Sequence, residues 1–295
     1  MSRYLVTGGS GRLGRSVVEV LAAAGHDVVS VDRTPHEGGP ARHVSCDLSD
    51  AAATASCFEE VRPDAVVHLA AIAVPFGRPD PELFATNTGL AFSVLEASLA
   101  AGVGSLLVAS SPTVIGYGAP EGWEPAYLPI DERHPLAPWN GYALSKQAVE
   151  NIVAMAVRAH GSRIRVGAFR PCYVIAPEEW AGAPTQQGHT VLERLDNPEL
   201  SAVALFNYVD ARDAGDFVLA WLEHAAEVPN GSTFFVGAPD SLTREPIADA
   251  VARYRPELVS AIGALAAHDA VFSSAEAQRL LGWRASRTWR TELVS

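Results

Sequence analysis

The chain has 295 residues, 48% of them hydrophobic and 19% charged, and a formal net charge of −12. This is the balance of an ordinary globular protein with a sizeable core, and its sign disfavours nucleic-acid phosphates and anionic membrane surfaces as partners. Cys46, Cys57 and Cys172 are unevenly spaced and form no CxxC pair, so neither a disulfide framework nor a metal site is expected.

The elements alternate from the start. Residues 3–7 (RYLVT) read as a strand beginning too early to leave space for a signal peptide, and 11–25 read as a helix stopped by Gly25. Strands follow at 27–32 (DVVSVD) and 64–71 (DAVVHLAA), then a helix at 82–102 and a strand at 105–111 (SLLVASS). A further helix is expected over 142–161 and a strand over 163–171. Strand–helix–strand succession with continuous apolar strands predicts an α/β fold, a doubly wound parallel sheet covered on both faces. Beyond residue 172 the pattern loosens, with helical stretches near 210–225, 243–254 and 274–281. The division expected is a dinucleotide-binding domain over 1–171, rejoined by 205–236, and a small substrate lobe from 172–204 and 237–295. No apolar run of about 18 residues is uninterrupted, so a cytoplasmic protein is expected.

Two motifs carry chemistry. In VTGGSGRLG (6–14), Gly8 permits the tight turn, Gly11 lets backbone approach a pyrophosphate, and Gly14 lets the helix pack close. Asp32 follows 18 residues after Gly14 at the end of the second strand, where a ribose 2′-hydroxyl is read. A carboxylate there selects NAD; NADP is the alternative, through Arg12 or Arg33. The second motif is YALSK (142–146). Lys146 is the only lysine of the chain, against 21 arginines, and stands four residues after Tyr142 on the same helix face. An ammonium beside a phenol lowers its pKa and suits it to general-base work.

These motifs, with Asp47-Leu48, HLAA (68–71), Asn87, ASSPTVIG (109–116) and RPCYVIAP (170–177), resemble the extended short-chain dehydrogenase/reductase superfamily, specifically its NAD-dependent epimerase/dehydratase group. The matches run in order over residues 3–177, with weaker ones at YVDARD (208–213) and AEAQRLLGW (275–283). The resemblance implies a catalytic Ser111, Tyr142 and Lys146: a serine on the reacting oxygen, a tyrosine acid/base, and a lysine on the nicotinamide ribose. It implies cofactor contacts from Gly8, Gly11, Arg12, Leu13, Asp32, Arg33, Asp47, Leu48, Leu69, Ala70, Ala71, Asn87, Tyr142, Lys146, Pro171 and Cys172. Asn87 reads equally as a helix-packing residue, and Cys172 as a core cysteine. Substrate contacts are implied for Ala73, Ser111, Pro112, Thr113, Tyr142 and Tyr173, and a homodimer through two helices.

Departures narrow the substrate. Thr113 is followed by Val114-Ile115 in place of the Asp-Glu pair of sugar-nucleotide dehydratases, which disfavours dehydration. Tyr173 stands where many nucleotide-sugar epimerases have asparagine, and Ala204 where they have a diphosphate-binding arginine. The segment SSPTVIGY and the LGW tail resemble uronate dehydrogenases, although no arginine for a uronate carboxylate is evident in EEWAGAPTQQG after Pro177. The leading expectation is therefore an NAD(P)-dependent oxidoreductase acting on a hydroxyl of a small carbohydrate-like substrate: a free sugar, sugar acid or polyol. The alternatives are a sugar or nucleotide-sugar epimerase holding its cofactor tightly, and a non-catalytic NAD(P)-sensing regulator.

Overall fold

A computed structural model describes residues 1–75 and 77–293. The first half alternates β1 (Arg3–Thr7), α1 (Arg12–Ala23), β2 (Asp27–Asp32), β3 (Arg42–Ser45), α2 (Ala51–Val61), β4 (Ala65–His68), α3 (Asp80–Ala100) and β5 (Ser105–Ala109). After it come α4 (Gly141–His160), β6 (Arg165–Pro171), β7 (Val174–Ile175), α5 (Pro177–Trp180), α6 (Val191–Asp196), α7 (Glu199–Ala202) and β8 (Val209–Asp210). The chain ends through α8 (Ala211–His224), β9 (Thr233–Val236), α9 (Ile247–Tyr254), α10 (Ala275–Leu281) and α11 (Trp289–Glu292).

Seven strands form one parallel sheet in the order β3-β2-β1-β4-β5-β6-β9. Alternate strand residues feed opposite faces: Tyr4 and Val6 join the core under α1 and α8, whereas Leu5 joins the core under α2, α3 and α4. Both faces are buried, so the strands read as apolar runs rather than alternations. On the α8 side Phe217 meets Phe169, Phe234 and Trp283, each with ring centroids 5.5 Å away. Trp283 belongs to the LGW tail and donates its indole N–H to Asp213 O at 3.1 Å. The C-terminal segment is thereby anchored to the sheet domain, while β7 and β8 form a separate two-stranded sheet.

The differences from the expected elements are local. β3 was not expected, because this edge strand is only partly buried and shows little apolar signal. Nor was α2, started by Asp50, whose Oδ1 accepts from the amides of Ala52 and Ala53, and ended by Arg62 at φ 49°. β5 stops at Ala109: Ser110 keeps one amide bond to Phe169 O at 2.7 Å, and Ser111 then caps a 3₁₀ turn over Pro112–Ile115. α3 is long and apolar enough for a membrane span by length and composition only, with a mean hydropathy of 1.2, although polar and acidic residues interrupt its apolar run. Here it lies on the sheet beside α4, with Leu83, Ala91, Val94 and Leu95 buried.

Candidate active site

Strand order reverses between β1 and β4, and that switch point opens a crevice at the carboxyl ends of the strands. One cleft of about 1600 Å³ follows it, from Asp32, Arg33 and Asp47-Leu48 at one end to Tyr173, Ala204 and Tyr254 at the other. Gly8, at φ +70°, makes the turn out of β1, and a Cβ there would lie 2.7 Å from the Ala70 nitrogen. Gly14 is equally committed, since a Cβ there would meet the Gly8 carbonyl at 2.1 Å. The first turn of α1 is thus pressed against the loop, with its free amides turned to the cleft, a cradle for phosphates. These features fit a dinucleotide.

Asp32 sits at the end of β2, its carboxylate accepting from the amides of Arg33 (2.7 Å) and Ser10 (3.3 Å). Asp47 lies beside it, its pKa lowered by the hydroxyl and amide of Ser49. Of the two arginines that suggested NADP, Arg12 is ion-paired with buried Glu179 of α5, and Arg15 of the same helix with Glu178. This leaves Arg33 beside Asp32. Asp32→Ala is therefore expected to lower the NAD-over-NADP ratio of kcat/KM about tenfold or more. A wild-type preference for NADP in the same assay would overturn the assignment of Asp32.

The middle of the cleft brings together side chains from three elements. Ser111 follows β5, and its Oγ accepts from the Thr113 hydroxyl at 2.9 Å. Tyr142 and Lys146 project from α4, which Asn140 starts by accepting from the Ala143 amide at 2.8 Å. Burial raises the Tyr142 pKa above its ordinary value, and the Ser111 hydroxyl beside the phenol pulls it partly back. The Lys146 Nζ lies 5.9 Å from the Tyr142 ring centroid and donates to Ala109 O at 2.9 Å. Burial draws the Lys146 ammonium down to about 8. His68, at the end of β4, is held down to about 3 by burial and by the Lys146 charge, and stays neutral against the Thr7 hydroxyl at 2.7 Å.

Behind the serine, Ser110 donates to Glu150 Oε1 at 2.6 Å, and Arg170 grips both Glu150 oxygens at 2.8 Å. This buried network ties the end of β5 and the end of β6 to α4. It fixes the distance between Ser111 and the helix carrying Tyr142.

All the site residues expected from the sequence line this cleft except Asn87. Asn87 is a correction: it lies behind the wall, where Oδ1 accepts from the Ile72 amide at 2.8 Å and Nδ2 donates to Ser145 Oγ at 3.0 Å. It shapes the loop after β4 from the protein side. Sequence reasoning also missed Tyr117, Asn207 and Arg255, which line the substrate end. Burial pushes the Tyr117 phenol upward, and the neighbouring Asn207 side chain pulls it partly back. Tyr117 is the last residue of SSPTVIGY and Asn207 directly precedes YVDARD, so both motifs held a usable signal; Arg255 had none.

The sequence model of the NAD dependent epimerase/dehydratase family matches residues 4–237. The chain belongs to that family. It is similar to a UDP-glucose 4-epimerase of Lacticaseibacillus casei, at 28% identity over 95% of this chain and 90% of that protein. A UDP-glucose 4-epimerase of Azospirillum brasilense is 35% identical over 55% of this chain, which spans only 46% of that relative. Among solved structures, a short-chain dehydrogenase/reductase superfamily protein from Agrobacterium tumefaciens with bound NAD superposes with a TM-score of 0.73 at 25% identity, covering 99% of this chain and 94% of that one. The UDP-glucose 4-epimerase from Brucella ovis in complex with NAD has a TM-score of 0.74 at 21% identity, covering 99% and 96%, a likeness of fold.

Proposed function

We propose that this family member is an NAD-dependent sugar epimerase that inverts a secondary hydroxyl by transient oxidation. The observation that carries the reading is a single cleft joining the Gly8–Asp32 cradle to Ser111, Tyr142 and Lys146. Chain-long similarity to a UDP-glucose 4-epimerase supports epimerisation over the oxidoreductase favoured on sequence alone. Gly8, Gly11, Leu13, Asp32 and Asp47-Leu48 would hold NAD, with Leu69–Ala71 and Pro171-Cys172 along its length. Bound there, NAD supplies a reversible hydride acceptor.

The chain's own residues do the rest. Tyr142 takes the hydroxyl proton as the substrate carbon is oxidised and returns it after the keto sugar has turned over in the cleft. Ser111 holds the reacting oxygen, and the Lys146 ammonium favours the tyrosinate. On this reading the substrate side is built from Tyr173, Gln187, Ala204, Asn207, Tyr254 and Arg255, which line the far end of the cleft. Exposed Phe84 and Phe92 on α3 and Leu144 on α4 support a homodimer through those helices.

A second reading, a dehydrogenase of small sugars or sugar acids, is supported by Ala204, which lines the substrate end without a guanidinium. One experiment separates them. The NAD-loaded protein is incubated with UDP-glucose, free sugars and sugar acids, following epimers by chromatography and reduced nicotinamide by absorbance. Epimer formation without accumulating reduced nicotinamide is the expected result. Stoichiometric reduced nicotinamide with no epimer would replace the epimerase by the dehydrogenase.

A further inference from the structure

Arg194, on α6, is 1% exposed. Its Nη1 donates to Leu200 O at 2.8 Å, its Nη2 to Gln187 Oε1, and its Cζ lies 4.3 Å from the centroid of the Tyr173 ring. Among the described residues no carboxylate pairs with it. Its Nε and the Tyr173 hydroxyl are buried with no well-formed hydrogen bond, the phenol standing close enough to favour the guanidinium's charge. Of the guanidiniums that line the cleft itself, Arg12, Arg78 and Arg255 are matched by Glu179, Glu82 and Glu257, and Arg33 stands at the cofactor end beside Asp32.

A buried, uncompensated charge is costly, and a neutral amide answers only part of that cost. Tyr173 and Gln187 both line the substrate end of the cleft, and Gln187 is exposed there. The guanidinium thus stands one side chain behind the wall, with its Nη2 covered by a group that is easily displaced.

We propose that Arg194 reads an anionic group on the substrate: a carboxylate or phosphoryl group displaces the Gln187 carboxamide and accepts from Nε and Nη2 together. The planar edge of arginine matches such a pair of oxygens, and the Tyr173 hydroxyl adds a donor beside it. The charge that Ala204 does not supply then comes from another part of the lobe. The inference rests on the reading of this cleft as a sugar site.

The test is calorimetric titration of the NAD-saturated full chain with D-glucose, D-glucuronate, glucose 1-phosphate and UDP-glucose. At least one anionic probe is expected to bind about tenfold or more tightly than glucose. Glucuronate leading assigns a carboxylate, and the phosphorylated probes leading assign a phosphoryl group. Arg194→Met should abolish the margin and leave NAD affinity unchanged. Gln187→Glu, at an exposed position that leaves the fold intact, places a permanent carboxylate on Arg194. It should raise Tm and weaken the anionic probe about tenfold or more, with glucose unaffected. Anion binding by Gln187→Glu equal to that of the wild type overturns the proposal, as does glucose binding as well as every anion. Failure of all four probes overturns the sugar site along with it.

Discussion

Tyr142→Phe is expected to lower kcat by about 10³-fold while leaving NAD affinity within about twofold. Positioned general acid–base catalysis contributes about 10²–10⁴-fold, and here one phenol would serve in both directions. Phenylalanine keeps the ring and its packing, because Tyr142 is already 8% exposed, and removes only the hydroxyl that meets Ser111. The backbone around Gly8 and the carboxylate of Asp32 are untouched, so cofactor titration should be superimposable on that of the wild type. The measurement is single-turnover oxidation or epimerisation beside calorimetric NAD binding. Activity within about tenfold of the wild type would assign the proton transfer to another group, with Tyr117 the next phenol on the wall.

Lys146→Arg is expected to cost on the order of 10²-fold in kcat/KM at neutral pH, although the formal charge is kept. The ammonium is compact, 5% exposed, and reaches Ala109 O at 2.9 Å through a space filled by its own stem. A guanidinium is larger and its donors are fixed in a plane, so it must displace either that carbonyl contact or the Tyr142 ring. The pH profile separates geometry from charge. Burial holds the Tyr142 phenol above its ordinary value, so the tyrosinate fraction, and the rate of oxidation, rises about tenfold per pH unit from neutrality. In the wild type that rise should flatten above about 8, where Lys146 gives up its proton and ceases to favour the tyrosinate. Arginine does not titrate there, so the variant should keep rising and recover part of its loss at high pH. Near-wild-type activity of Lys146→Arg at pH 7 would show that charge alone suffices, and the lone lysine would need another explanation.

What the amino-acid sequence determined by itself is what depends on neighbours along the chain. The turn at Gly8, the close packing at Gly14, and Asp32 at the end of an apolar strand follow from backbone sterics and strand periodicity. Tyr142 and Lys146 share a helix face by the i, i+4 rule, and continuous apolar strands imply a sheet buried on both sides. Tertiary structure alone decided the contacts between distant segments. It placed Ser111 beside Tyr142, tied the neighbouring Ser110 to Arg170 through Glu150, and chose the packing role for Asn87 over the cofactor contact that was its other reading. Only the fold shows Arg12 captured by Glu179 and Arg194 buried with no acid against it among the described residues, because whether a charge is matched depends on what surrounds it in space. A string of letters records that a guanidinium is present; burial decides what it still lacks.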